Sequence, residues 1–267
     1  MTSKTVFITG ASAGVGEETA KLFLDAGWNV IAAARRAPGN LGPWSHHPNV
    51  QAIRLDVTDV TSIKAAVDQA IDRWGTIDLL VNNAGVGVAG PVEAVSQEAF
   101  RALFETNFFG TLNTINAIVP HMRAQGDGVI VNVTSLVGRI AVPYLGPYVA
   151  SKFAVEGLTE TLQYELAPLG IRVKLVEPGG IRTEFRHRWF RHAAYDPDLT
   201  RVSQKIDSGG ATALPPSGVA RVILKAAGDR SQRLRYSANG SGALLFLNRI
   251  LPESSIRSIM RKTFLKP

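Results

Sequence analysis

TVFITGASAGVGEETAKLFLDAG (residues 5–27) joins a short β-branched and aromatic run to a glycine-rich turn. An amphipathic stretch follows, closed by Gly27. The run Thr5–Thr9 reads as a buried strand and Val15–Ala26 as a helix. Glycines in such a turn permit a tight bend and let the backbone approach a pyrophosphate. The N-terminus of the following helix offers that anion N–H groups and the positive end of a dipole. Gly10, Ser12, Gly14, Val15 and Gly16 are therefore the first candidate ligand contacts.

Working outward, the same strand–helix rhythm recurs. Strands are expected at 29–34, 50–55, 77–83, 128–134, 171–177 and 233–236. Helices are expected at Val60–Trp74, Gln97–Met122 (with Pro120 near its end), Tyr148–Leu169 and about 216–228. Several strands are apolar almost throughout, which suits a strand covered by helices on both faces. Strand–helix alternation implies right-handed crossovers and a parallel sheet, with ligands at the carboxyl ends of the strands. The fold class is α/β: a Rossmann-like, doubly wound parallel sheet of about seven strands flanked by helices, in a single domain. That domain takes residues 1–240, with an excursion over 184–214 where the rhythm breaks. Residues 241–267 form an amphipathic helical tail.

Composition narrows the function classes. Of the 267 residues 45% are hydrophobic and 19% charged, ordinary for a folded protein with a sizeable core. The N-terminus lacks the apolar core of a secretory signal, and no apolar run reaches the ~20 residues of a membrane-spanning helix. The expected compartment is the cytoplasm. There is no cysteine, so neither disulfides nor thiolate metal sites arise. The five histidines (46, 47, 121, 187, 192) show no HExxH-like spacing, and no metal is expected. Net charge is +7, but the basic residues concentrate in Arg182–Lys205 and Arg249–Lys266 without one aromatic-interleaved tract. That pattern argues against nucleic-acid binding.

Two pattern matches mislead. Gly10-x-Ser12-x-Gly14 fits the nucleophile elbow of α/β-hydrolases, yet the last histidine is His192, leaving no triad base in the final 75 residues. Gly85-x-Gly87-x-x-Gly90 fits a dinucleotide fingerprint, but Pro91 follows where a helix should begin.

Tyr148 and Lys152 open a helix one turn apart on one face. A free tyrosine holds only about 0.1% phenolate at pH 7. A nearby ammonium favours that form and lets the phenol exchange protons near neutrality. Ser135, thirteen residues before Tyr148, ends the fifth strand, where its hydroxyl can point into the same crevice.

With these residues assembled, the chain resembles the short-chain dehydrogenase/reductase family in its short single-domain form. The resemblance rests on TGASAGVG (9–16), NNAG (82–85), Asn107, Ser135, Tyr148-x-x-x-Lys152, and Pro178-Gly179 with Thr183. It covers about residues 4–236. It implies that Tyr148 donates a proton to the carbonyl oxygen in reduction, or accepts one in oxidation. It implies too that Ser135 hydrogen-bonds that oxygen, that Lys152 binds the nicotinamide ribose, and that Asn107 holds a water linking Lys152 to solvent. Asp56 and Val57 would meet the adenine and Asn83, Ala84 and Gly85 the adenine ribose. Pro178, Gly179, Ile181 and Thr183 would fix the carboxamide. Asn82 is expected to brace the sheet instead.

The cofactor expected is NADP(H). An acid at the end of the second strand would bind the ribose 2′-hydroxyl of NAD and repel a 2′-phosphate. Here that place reads Ala34-Arg35-Arg36, and guanidinium groups suit a phosphate. Ala13 departs from relatives that carry a basic residue inside the glycine loop. The implied activity is reduction of a carbonyl to an alcohol, or the reverse, on a lipophilic or medium-sized substrate. A 3-oxoacyl thioester reductase is the rival within that class. An NADP(H)-sensing binding protein is the rival outside it, and a sensor has no need of the full Asn107/Ser135/Tyr148/Lys152 set. A homo-oligomer, dimer or tetramer, is expected through helices 97–122 and 148–169. The tail leaves three uses open: packing on the domain or on another subunit, an apolar hood over the substrate mouth, and a basic surface for peripheral membrane contact.

Overall fold

A computed structural model describes residues 3–36, 41–207 and 213–265. Residues 208–212 of the excursion and Lys266 of the tail lie outside that range. Its centre is a seven-stranded parallel sheet, ordered β3-β2-β1-β4-β6-β7-β9. The strands are β1 Thr5–Thr9, β2 Asn29–Ala34, β3 Val50–Arg54, β4 Leu79–Asn82, β6 Gly128–Val133, β7 Ile171–Pro178 and β9 Arg235–Ala238. The chain winds outward from β1 in one direction to β3, then returns to the other side at β4. The topological switch point therefore lies between β1 and β4.

Strand alternation sorts the apolar residues into two cores. Val6, Ile8, Val30, Ala32, Leu79 and Val81 face helices α1 (Gly14–Asp25) and α7 (Pro216–Gly228). Phe7, Ile31, Ala33, Leu80, Ile130 and Val173 face α2 (Val60–Trp74), α4 (Gly110–Gln125) and the C-terminal end of α5 (Gly146–Leu166). Both faces are covered, which is why the strands read as continuously apolar. Local signals set the helix ends. Asp59 caps α2 by accepting from the Thr61 N–H at 2.8 Å, and Ser96 caps α3 (Gln97–Phe104) through the Ala99 N–H at 3.2 Å.

Several boundaries differ from the sequence reading. The single helix expected over 97–122 is α3 and α4 joined by one π turn, Glu105–Phe109, and it runs past Pro120 to Gln125. The last strand lies two residues later than expected. Three elements are not expected from the sequence. Two are β5 (Gly87–Ala89) and β8 (His187–Trp189), which pair in parallel as a separate small sheet. The third is α6 (Asp196–Asp207).

The tail forms α8 (Ser241–Ile250) and α9 (Glu253–Phe264). Ile256 and Met260 are buried with Val137, Ile140, Val142 and Leu145, and Leu244 and Leu245 pack on the same cluster. No described helix is long and apolar enough to cross a membrane.

Candidate active site

At the carboxyl ends of the strands a cleft of about 680 Å³ opens, a size that suits a cofactor-sized ligand. Its first wall is the glycine loop. Gly10 and Gly14 have φ of +68° and +58°, a left-handed conformation that side chains with a Cβ rarely adopt. A Cβ on Gly16 would lie 2.2 Å from the Gly10 carbonyl oxygen and 2.6 Å from Asn83 Nδ2. Gly16 thus lets α1 pack on its own loop and stands behind the cleft, whereas Gly10, Ser12, Gly14 and Val15 line it. The loop is tied to β4 by Thr9 Oγ1, which accepts from the Asn83 and Ala84 N–H groups at 3.0 and 3.1 Å. Asn83 Nδ2 donates back to the carbonyls of Thr9 and Gly10. Ala13 occupies the cap position of α1 and provides no side-chain acceptor. The first-turn N–H groups therefore face the cleft with no side-chain cap, the arrangement that accepts a phosphate. These residues fit a dinucleotide.

Farther along the cleft, Arg35 and Arg36 line it and are exposed. Asp56 also lines it, but its Oδ1 accepts from the N–H and hydroxyl of Thr58 at 3.0 and 2.8 Å. Those bonds, with Arg35 and Arg54 nearby, hold its carboxyl below the usual range despite opposing burial. Asp56 is thus a turn-forming residue as well as a wall residue. Val57 is buried beside it, so close to Gly110 that a Cβ there would meet Val57 Cγ2 at 2.7 Å. Asn82 lies under the sheet end and donates to Asn132 Oδ1 at 2.9 Å.

The far end gathers Ser135, Tyr148, Lys152, Pro178, Gly179, Ile181 and Thr183 on the same cleft. A Cβ on Gly14 would be 3.3 Å from Thr183 Cγ2, so the glycine loop and the segment after β7 meet face to face. Ser135 lies two residues beyond β6 and caps a short 3₁₀ turn, accepting from the Val137 N–H at 3.3 Å. Lys152 is buried and donates to the Val133 carbonyl at 3.1 Å, with its Nζ 5.7 Å from the Tyr148 ring centre. Burial pulls its pKa down to about 8, against the attraction of Glu156 one turn along α5. Burial also pushes the Tyr148 phenol well above its ordinary value. Desolvation dominates here, and the phenol keeps its proton at neutral pH.

Asn107 sits in the π turn, fully buried. That bulge places the polar side chain against β5's entry: Oδ1 accepts from the Val86 N–H at 2.9 Å, and Nδ2 donates to the Val86 carbonyl and to Ser151 Oγ. Ser151 Oγ donates in turn to the Tyr148 carbonyl at 2.8 Å. A Cβ on Gly85 would touch Asn107 Oδ1 at 3.4 Å and Lys152 Nζ at 4.0 Å, so Gly85 keeps the two polar groups close. An asparagine that would weaken a regular helix is thereby satisfied.

The sequence reading leaves a tail hood over the substrate mouth open but does not single out His187 or Ile206 among the other walls. The His187 ring stands edge-on to Tyr148 at 5.2 Å, and Phe185 lies 5.9 Å from it. Burial drops the His187 pKa to about 4, so it is neutral at pH 7. Ile206 from α6, Phe264 from α9, and Val142 and Leu145 complete an apolar end. The aromatic content of 184–214 was the available signal; the three-residue strand that aims it was not readable. Among the described residues, no cluster of three or more histidine, aspartate or glutamate side chains is placed to hold a metal.

The short chain dehydrogenase family model matches residues 4–194. Among curated proteins, the chain is 40% identical to a 3-ketodihydrosphingosine reductase of Bacteroides thetaiotaomicron, over 69% of this chain and 66% of that one. It is 34% identical to retinol dehydrogenase 8 of Bos taurus, over 88% and 81%. Among solved structures, a short-chain dehydrogenase from Streptomyces avermitilis superposes with a TM-score of 0.86 at 31% identity, covering 97% of this chain and 95% of that one.

Proposed function

The chain belongs to the short-chain dehydrogenase family, whose members use a nicotinamide cofactor, and from that premise we propose an NADP(H)-dependent carbonyl reductase acting on a lipophilic substrate. The observation that carries this reading is the two-ended cleft. One end offers an uncapped helix N-terminus with Arg35 and Arg36 beside it. The other sets Tyr148, Ser135 and Lys152 against apolar walls.

When bound there, the cofactor supplies the hydride that the carbonyl carbon takes up. The protein's own residues handle the oxygen. Ser135 Oγ accepts a place beside it and donates a hydrogen bond that holds the carbonyl toward Tyr148. Tyr148 Oη transfers its proton to the oxygen as charge develops there, giving the alcohol and leaving a phenolate. Lys152, still an ammonium at neutral pH, stabilises that phenolate electrostatically. Reprotonation returns from solvent along the Lys152–Asn107 side of the site. The phenol's high pKa keeps the acid form ready, which is the state reduction requires.

Arg35 and Arg36, with no acid at the end of β2, support NADP(H) over NAD(H). Phe185, Val142, Leu145 and Phe264 support a large apolar substrate, as do relatives whose names carry a sphingoid ketone and retinol. Exposed Phe109, Phe153 and Tyr164, on the π turn and on α5, suit a homo-oligomer through these helices. The test is a panel of carbonyls and alcohols graded by size, assayed with NADPH and NADH side by side. Reduction of large apolar ketones with NADPH supports the reading; activity confined to small polar substrates or to NADH overturns it.

A further inference from the structure

Helix α8 is apolar on two sides. Its inner side, Leu244 and Leu245, packs on the 137–145 region. Its outer side carries Phe246, Leu247 and Ile250, which are 61%, 36% and 56% exposed. A helix lying on a domain needs one apolar stripe; this second one joins none of the hydrophobic clusters formed by the described residues. It does not stand in neutral surroundings. Arg249 is exposed on the same helix, and Arg257, Arg261 and Lys262 are exposed on α9. Residues 241–267 hold five basic residues against one acid, Glu253, a net +4 of the chain's +7. Glu253 is engaged with Arg257 at 3.5 Å.

An exposed apolar stripe on a two-helix tail that also carries exposed cations fits one kind of surface. We propose that α8 and α9 dock the protein peripherally on a membrane carrying anionic lipid, with Phe246, Leu247 and Ile250 entering the headgroup–acyl boundary. Charge decides between this and a second copy of the chain. Self-pairing through a two-fold axis would bring two such fringes together, and like charges face to face are repulsive. Anionic headgroups turn the same charges into attraction. A purely phosphate-lined partner would leave the apolar stripe in water. The placement also connects to the cleft, because Phe264 at the end of α9 lines it and Lys205 of α6 lies over that ring at 5.4 Å. A lipid-dissolved substrate would then meet the cleft from the membrane side. Docking itself is independent of the proposed reaction and is read without any activity assay.

The experiment is co-sedimentation of the full chain with vesicles of pure phosphatidylcholine, or of phosphatidylcholine with one third phosphatidylglycerol. Light scattering and melting curves run alongside. The wild type should partition onto the anionic vesicles at least tenfold better than onto the neutral ones, and high salt should weaken that binding. Phe246→Ser with Ile250→Ser should reduce the partitioning at least tenfold while oligomeric size and melting stay as they were, since both side chains are exposed. Should that variant fold poorly, Arg261→Glu with Lys262→Glu tests the same surface through charge alone and should abolish the preference for anionic vesicles. Absence of wild-type binding to anionic vesicles overturns the proposal, as does unchanged binding by both variants. A fall in oligomeric size in the serine variant also overturns it, because the stripe is then an interface between copies.

Discussion

The half of the molecule built on β1–β4 and the half built after β7 serve one cleft by different means. In the first half, each ligand-facing residue stands just beyond the end of its own strand. Neighbouring strands pair in register, Thr5 with Asn29 and Val30 with Val50. In the second half, walls come from segments remote in sequence. His187 is aimed by pairing with Gly87, Tyr195 donates to Glu93 at 2.6 Å, and Asn248 reaches the Arg139 carbonyl. Backbone groups and glycines make the first half, so its shape is local and fixed. Side chains from four segments make the second, so its shape can change without disturbing the sheet. Tyr148 stands at the seam.

The largest expected effect lies at that seam. Tyr148→Phe removes the proposed proton donor while keeping the ring that packs against His187 and Phe185. General acid catalysis contributes about 10²–10⁴-fold, so kcat should fall by at least about a hundredfold with cofactor affinity nearly unchanged. Steady-state kinetics with fluorescence titration of NADPH checks both. Turnover above a tenth of the wild type would remove Tyr148 from the chemistry and separate the reaction from the seam.

A second test stays within the local half. Arg35→Ala with Arg36→Ala should weaken NADPH by about ten- to a hundredfold, from about 1.5–3 kcal/mol for hydrogen bonds to a charged group. NADH should bind nearly as before. Both arginines are exposed, so solvent screening places the expected loss toward the lower end of that range. Equal weakening of both cofactors would mean that the arginines shape the loop and do not read the phosphate.

This division also explains what was legible in the sequence. β1, α2 and α7 stand where periodicity and capping residues put them, because nearest-neighbour chemistry fixes them: Asp59 caps, Gly75 closes in the left-handed conformation. The loop, Arg35–Arg36, Asp56, Ser135, Tyr148, Lys152 and Thr183 share one cleft because each ends or follows a strand of one parallel sheet. β5 and β8 were invisible, since three residues show no period and their pairing spans a hundred positions. Asn107 was placed in a regular helix, and the π turn that satisfies it arises from packing against Val86 and Ser151. The charge balance around Lys152 was hidden for a similar reason. Glu156, Glu177 and Arg235 come together only when β7, β9 and α5 are side by side.

The side-chain-built half should yield to a single truncation. Phe264 lines the cleft from the last turn of the tail, so Phe264→Ala opens the apolar end without touching Tyr148. A hydrophobic contact in a pocket is worth about 1–3 kcal/mol in discrimination. The ratio of kcat/KM for a large apolar ketone over a small one should therefore fall by about tenfold, with NADPH binding unaltered. A preserved ratio would show that the tail supports the wall and does not form it.

The smallest effect concerns the electrostatics shared by the two halves. Lys152 is lowered to about 8 by burial, and Glu156 opposes that shift. Glu156 is itself pushed up to about 7 by burial, although it accepts from the Thr134 hydroxyl at 2.6 Å and from Arg235 at 3.1 Å. By pH 8 it is therefore mostly ionised and supports the ammonium. Tyr148 titrates far higher, so the alkaline limb of kcat/KM belongs to Lys152 and should inflect near pH 8. Glu156→Gln removes the negative charge that raises the Lys152 pKa while keeping an acceptor for Thr134. The inflection must then move to lower pH, by up to about one unit, equivalent to roughly 1.4 kcal/mol. Glu160→Gln is the control: Glu160 also pairs with Arg235 but is half exposed, and the limb should stay where it is. An unmoved or upward-moving limb in Glu156→Gln would mean that the group titrating there is not Lys152, and that the β7–β9 edge does not reach the proton-transfer site.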